Sequence, residues 1–314
     1  MNEKGFVESR QDDWARLEEL VGALEGRRLT GREAVREILR LYRRAASDLA
    51  EAQTYFPASR TVERLQLLVG RAYGAVYRQP EERLGLTQFV LEKLPQTFRK
   101  NAKYFLTASL TFGAGLLLGV VMVGVDESWA QVVIPQPVLE KVKHGELWTD
   151  MLTLVPPALA STLVFSNNVL VCFTAFALGL TLGVGTFYVL FVNGLMFGAA
   201  LAVCGHYGML DRIAAFVVGH GVLELSAIMM AGAAGLMLGD ALARPGPYRR
   251  LDALRVRARD AATLAVGAVP FLAEAAFIEG YVSPGEAAAT AKYLLGFGMG
   301  LLMYAYLLTA GRKR

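Results

Sequence analysis

The sequence predicts an all-α polytopic membrane protein of about six transmembrane helices, preceded by a cytoplasmic helical bundle. Three observations predict it. After the first hundred residues, uncharged stretches of about twenty residues punctuate the chain, the length that crosses a bilayer. The first hundred residues hold most of the charge, in amphipathic runs. The arginines of the second half stand beside the apolar blocks, where cytoplasmic loops meet anionic lipid. Of the 314 residues 54% are hydrophobic, and the formal net charge is +4. That placement makes nucleic acid a poor partner and the lipid bilayer the natural one. Cys172 and Cys204 both lie in apolar stretches, so no disulfide framework is implied. The first residues, MNEKGFVESRQDDW, are charged and have no apolar core, so no cleaved secretory signal is expected.

In the N-terminal segment, WARLEELVGALEG spaces Trp14, Leu17, Leu20, Val21 and Leu24 along one helical face, and Gly26 ends the run. Thr30, with Glu33 at the capping-box position, is placed to start a longer helix that runs to Pro57. ERLQLLVGRAYGAVY supplies a third helix. FVLEKLPQTFRKNAKYF mixes apolar and basic residues, as an interfacial helix does. Residues 1–98 are therefore read as a cytoplasmic helical domain with a juxtamembrane helix, and 99–314 as the transmembrane domain.

The spans are expected near 104–125, 169–190, 193–208, 213–238, 261–281 and 289–309. PPALASTLVF is read as too short to cross, with Asn167 and Asn168 breaking it and Asn168 capping the next helix. The uncharged block from Val169 to Cys204 is too long for one crossing. It is divided near Asn193-Gly194, either as two spans or as a re-entrant pair. Arg244, Arg249, Arg250, Arg255, Arg257 and Arg259 form a basic loop. With six spans this loop, Arg99/Lys100/Lys103 and the Arg312–Arg314 tail all fall on one side. The positive-inside bias makes that side the cytoplasm, with both termini there. Small residues recur four apart at Gly115/Gly119, Gly179/Gly183, Gly194/Gly198, Gly235/Gly239 and Gly296/Gly300. Such pairs let helices approach closely, within a chain or across a homodimer.

The ionisable residues inside the apolar blocks are the candidate site. His220 and Glu224 stand one turn apart on one helical face. An acidic side chain at the centre of a span costs on the order of 3 kcal/mol, so it should face protein or water. The next span carries Glu274 and Glu279, and breaks at Ser283-Pro284. Asn167, Asn168 and Asn193 complete the expected polar cluster. Three chemistries fit it: a hydrogen-bonded lock between helices, a proton or cation site, or a metal site on His220, Glu224 and Glu279. The spacing is H-G-V-L-E, not the H-E-x-x-H of zinc peptidases. No phosphate-binding loop, dinucleotide motif or serine elbow is present. The set is incomplete for an enzyme, and no cofactor is expected beyond a bound cation.

LYRRAASDLAEAQTYFP at 41–57, SNNVLVCFTAFALGLTLGVGTFYVLFVNGLMFG at 166–198, GHGVLELSAIMMAGAAGLMLG at 219–239 and AAFIEGYVSP at 275–284 together resemble the stage II sporulation protein M family. The resemblance covers most of the chain. It implies a multi-span membrane domain behind a cytoplasmic helical segment, and brings over Asn167, Asn168, Asn193, His220, Glu224, Glu279, Ser283 and Pro284 as site positions. Glu274 has no place in that pattern. The namesake is a membrane partner of peptidoglycan-degrading proteins, and the longer N-terminal segment here is similar to the broader family instead. The soluble helical segment, the small-residue packing and the absence of a complete catalytic set point to a non-enzymatic scaffold or partner in a cell-envelope complex, engaging protein through its N-terminal helices. The residues alone keep a channel or transporter, and an intramembrane metal-dependent enzyme, as rivals.

Overall fold

The computed structural model describes residues 2–25, 32–77, 85–285 and 287–312. It is all-helical among these residues and divides into two compact units, residues 1–84 and 85–314. The division therefore falls at 84/85, earlier than the expected 98/99.

The first unit holds α1 (Glu3–Glu8), α2 (Gln11–Glu25), α3 (Arg32–Tyr55) and α4 (Arg60–Tyr77). Trp14, Leu17, Leu20 and Val21 are buried against Ile38, Leu41 and Ala45 of α3 and Val62, Leu65 and Leu68 of α4. Leu24 is partly buried at the edge of this core. Polar groups are paired around it. Trp14 donates its indole N–H to Asp48 at 2.8 Å, and Arg10 bridges Asp48 at 3.0 Å and Glu51 at 2.9 Å. The Thr30 cap and Gly26 lie outside the described residues.

Among its described residues the second unit contains six helices long and apolar enough to cross a membrane: Ala102–Val125, Pro157–Leu180, Val184–His206, Leu210–Ala243, Arg250–Tyr281 and Ala289–Thr309. They are called the first to sixth spans below. The segment Leu86–Lys100 belongs to this unit. It enters through a π-helical stretch, Phe89–Lys93, and buries Leu94 and Phe98 in the core of the bundle. Arg99 donates to the carbonyl of Leu307 at 2.8 Å, Gln96 to that of Gly311 at 2.8 Å, and Lys100 pairs with Asp260 at 2.8 Å. The start of the first span, the start of the fifth and the end of the sixth thus meet at one end of the bundle. At the opposite end, residues 126–156 form short helices whose Leu139, Val142 and Leu147 pack on Val123, Val203 and Ile213. Arg212 holds this cap through Asp150 at 3.2 Å and the Gly145 carbonyl at 3.1 Å.

Three expectations are corrected. The second span begins at Pro157 and runs unbroken through Asn167 and Asn168. Proline at the first helical position starts a helix without losing a hydrogen bond, so PPALASTLVF is the first half of a span. The third span likewise continues through Asn193, which donates to the Val189 carbonyl of its own helix at 2.8 Å. The turn between these spans lies at 178–183 instead. There Leu182 and Gly183 take left-handed φ values of 57° and 85°, and the Thr181 hydroxyl accepts from the N–H of Gly185 at 2.9 Å. Finally, Arg250, Arg255, Arg257 and Arg259 are not in a loop, because the fifth helix extends down to Arg250. Only Arg244 and Arg249 flank it in non-helical conformation.

The fourth span is the hub, contacting the first, second, third, fifth and sixth spans. Its run Ala231–Gly235 is buried throughout. Small side chains there let several neighbours approach, which a leucine-rich stripe would not allow. All five small-residue pairs are used within the chain. A methyl group at Gly194 or Gly198 would overlap the carbonyls of Phe112 or Leu116 of the first span, and one at Gly115 or Gly119 those of Phe191 or Leu195 of the third. Gly179 meets Gly235, Gly183 lies against Gly239, and Gly296 and Gly300 meet Val218 and Val222.

Candidate functional site

His220 lies ten residues into the fourth span, about 15 Å along its axis from Leu210. It is 4% exposed. Gly219 beside it leaves room for the turn that follows the fifth span, whose Ser283 hydroxyl lies where a Cβ on Gly219 would make van der Waals contact. Ser283 Oγ stands 3.0 Å from His220 Nδ1, so the imidazole's orientation is set by one nitrogen. Phe216, one turn earlier, meets the ring edge-on at 5.5 Å between centroids.

The other ring nitrogen faces two carboxylates. Nε2 is 3.8 Å from Glu224 Oε2 and 3.6 Å from Glu279 Oε2. Glu224 comes from the same helix, and Glu279 from the last turn of the fifth span. Asn168 of the second span lies beside Glu224. The turn at 282–285 is clamped from the sixth span, where Lys292 donates to the carbonyls of Ser283 at 2.6 Å and Gly285 at 2.8 Å. Gly280 lets the end of the fifth helix press on Pro157 and Ser161 of the second span, setting the depth of Glu279. Four spans therefore build the site. Burying two ionised carboxylates costs several kcal/mol each unless a cation or protons compensate, so the group is suited to holding positive charge.

The structure gathers Asn168, His220, Glu224, Glu279 and Ser283. Asn167 is exposed and, among the described residues, its side chain reaches Asn168 alone, at 3.5 Å. Asn193 bonds within its own helix, and Pro284 shapes the turn without contributing a polar group. Glu274 is corrected: it is exposed on the outer face of the bundle, away from the cluster. Five residues of helix rotate it by about 140° from Glu279, so the two cannot face one site. Sequence reasoning missed Lys292, whose signal was a lone charge in the first turn of an apolar helix. It also missed Tyr104, which donates to Asp240 at the opposite end of the fourth span.

Outside the spans, two groups have shifted acidities at the cap. The Asp126 carboxyl lies below its usual range because it accepts from Ser128, chiefly the backbone N–H. The Tyr207 phenol is pushed up by donating to Glu127 at 2.8 Å.

Six apolar helices wrapped round a buried His–Glu–Glu group define a polytopic membrane protein with an intramembrane polar centre. The sequence pattern of the stage II sporulation protein M family matches residues 108–284, and the chain belongs to that family. Residues 4–78 match a domain of unknown function, number 8413 of its series. No curated protein and no solved structure matches the chain.

Proposed function

We propose that this chain is a non-enzymatic scaffold in a cell-envelope membrane complex. In this reading it sits in the bacterial inner membrane with both termini in the cytoplasm, and its N-terminal helices engage a protein partner. The observation that carries the reading is the outer face of α4. Arg60, Arg64, Leu67 and Arg71 lie on one stripe beside Glu18 and Glu63, around a shallow hollow, and Leu67 is 72% exposed. Arg64 and Arg71 already pair with Glu18, at 3.8 and 3.6 Å, so the patch is an exposed apolar residue among mixed charges, which suits an amphipathic helix carrying both signs.

Homo-oligomerisation, in its simplest form a dimer, is supported by Glu274. A carboxylate on the lipid-facing side of a span is costly, and a second copy would cover it. The rival reading of a channel or transporter loses two supports, because the spans run unbroken through Asn167-Asn168 and Asn193-Gly194.

The test is purification of the full chain from its native membrane in mild detergent. A companion protein at fixed stoichiometry, lost in Leu67→Asp with the melting temperature unchanged, is the expected result. A chain that purifies alone and moves ions across vesicles, with Glu224→Gln abolishing the flux, would overturn the reading.

A further inference from the structure

We propose that His220, Glu224 and Glu279 hold a divalent transition-metal ion of the zinc class inside the membrane domain. This goes beyond the scaffold reading and stands on different residues.

Geometry is the first argument. The distances from His220 Nε2 to the carboxylate oxygens, 3.6 and 3.8 Å, are too long for hydrogen bonds. All three ligating atoms nevertheless lie within 4.8 Å of one another. Bonds of about 2.0–2.1 Å in a tetrahedral site place neighbouring ligand atoms about 3.4 Å apart. An ion at the centre of this triangle would stand about 2.1–2.4 Å from each atom, so a few tenths of an ångström of closure brings all three to bonding distance and leaves the fourth tetrahedral position for a water.

The second argument is charge. A neutral imidazole and two carboxylates sum to two negative charges, which one divalent cation cancels. Lys292 does not do this, because its donors go to the Ser283 and Gly285 carbonyls. The third is the outer shell. Metal-binding imidazoles are held through their other nitrogen and metal-binding carboxylates by a further hydrogen bond. Ser283 does the first for His220, and Asn168 lies beside Glu224, where a small closure would supply the second. One imidazole with two carboxylates favours zinc, manganese or iron(II) over calcium or magnesium.

The experiment is elemental analysis of the full chain, carrying a tag free of histidine, purified in detergent without chelator. About one equivalent of metal per chain is expected, removed by dialysis against a chelator and restored by zinc, manganese or iron(II) salts but not by calcium or magnesium. Glu279→Gln and His220→Ala should each lower the content to about one tenth. Should either variant fail to fold, X-ray absorption on the wild type decides. A shell of only nitrogen and oxygen at about 2.0–2.2 Å supports the site. A sulfur shell, pointing to Cys172 or Cys204, overturns it. So does metal retained in both folded variants, or less than about a tenth of an equivalent bound after reconstitution with zinc, manganese and iron(II).

Discussion

Ser283→Ala deletes one oxygen from the outer end of the site and leaves almost everything else in place. The Ser283 backbone carbonyl still receives Lys292, and its N–H still donates to the Ile278 carbonyl at 2.8 Å. What is lost is the 3.0 Å contact with His220 Nδ1, in surroundings where both residues are at most 4% exposed. A buried polar atom left without its partner costs about 1–3 kcal/mol, and removing the hydroxyl's own desolvation returns part of that, leaving about 1–2 kcal/mol. No cavity larger than the oxygen forms, so packing adds little. For a unit of this size each kcal/mol moves the melting temperature by about 2–4 °C, which predicts a fall of about 2–8 °C. Scanning fluorimetry in one detergent measures it. The control is Thr107→Ala, an exposed hydroxyl bonded only to the Lys103 carbonyl of its own helix, which should change stability by less than about 0.5 kcal/mol. If the two variants melt together, within about 1 °C of the parent, the imidazole is not held as described.

Gly198→Leu should cost at least 1–3 kcal/mol as an overpacking change of about that order, because its side chain meets the Leu116 backbone. Gly113→Leu, in open space on the first span, should melt like the parent in the same assay. Glu274→Cys should cross-link between copies with a short bifunctional maleimide, and Leu117→Cys, exposed on another span, should not; equal yields would remove the case for a contact at Glu274. The cap should be pH-sensitive at the alkaline end. Because the folded state raises the Tyr207 phenol above its unfolded value, the Glu127 bond stabilises fully below the usual tyrosine range and is lost as pH rises through the raised value. Ultraviolet titration of Tyr207→Phe should show one fewer late-ionising phenol than the parent, and an unchanged curve would refute the assignment.

The class of the fold was legible because lipid demands long uncharged helices, and a block such as Ala102–Val125 is bounded by charge, at Lys103 and Asp126. The second and third spans were harder to read, for two physical reasons. Asparagine is a poor helix-interior residue by propensity alone, yet Asn168 is accommodated by a glutamate 56 positions away, a partner no local window contains. The true turn at Thr181–Gly183 carries no charge and only one glycine in left-handed conformation, so hydropathy does not mark it. Within the site, His220 and Glu224 followed from helical spacing and Glu279 from its place before the Ser283 break. The misplacement of Glu274 was avoidable, since a five-residue separation turns two side chains to different faces. Lys292 acts through backbone carbonyls, and no residue pattern advertises carbonyls.

The order in which the spans leave the ribosome gives the Ser283–His220 contact a further meaning. When the fourth helix enters the bilayer, Asn168 is already there to receive Glu224, but the partners of the histidine are still some sixty residues from synthesis. A chain halted before residue 279 would carry an unsatisfied imidazole in lipid, along with the Val218–Val222 face that Gly296 and Gly300 of the sixth helix would have received. The polar centre would then report that translation has reached the far end of the molecule.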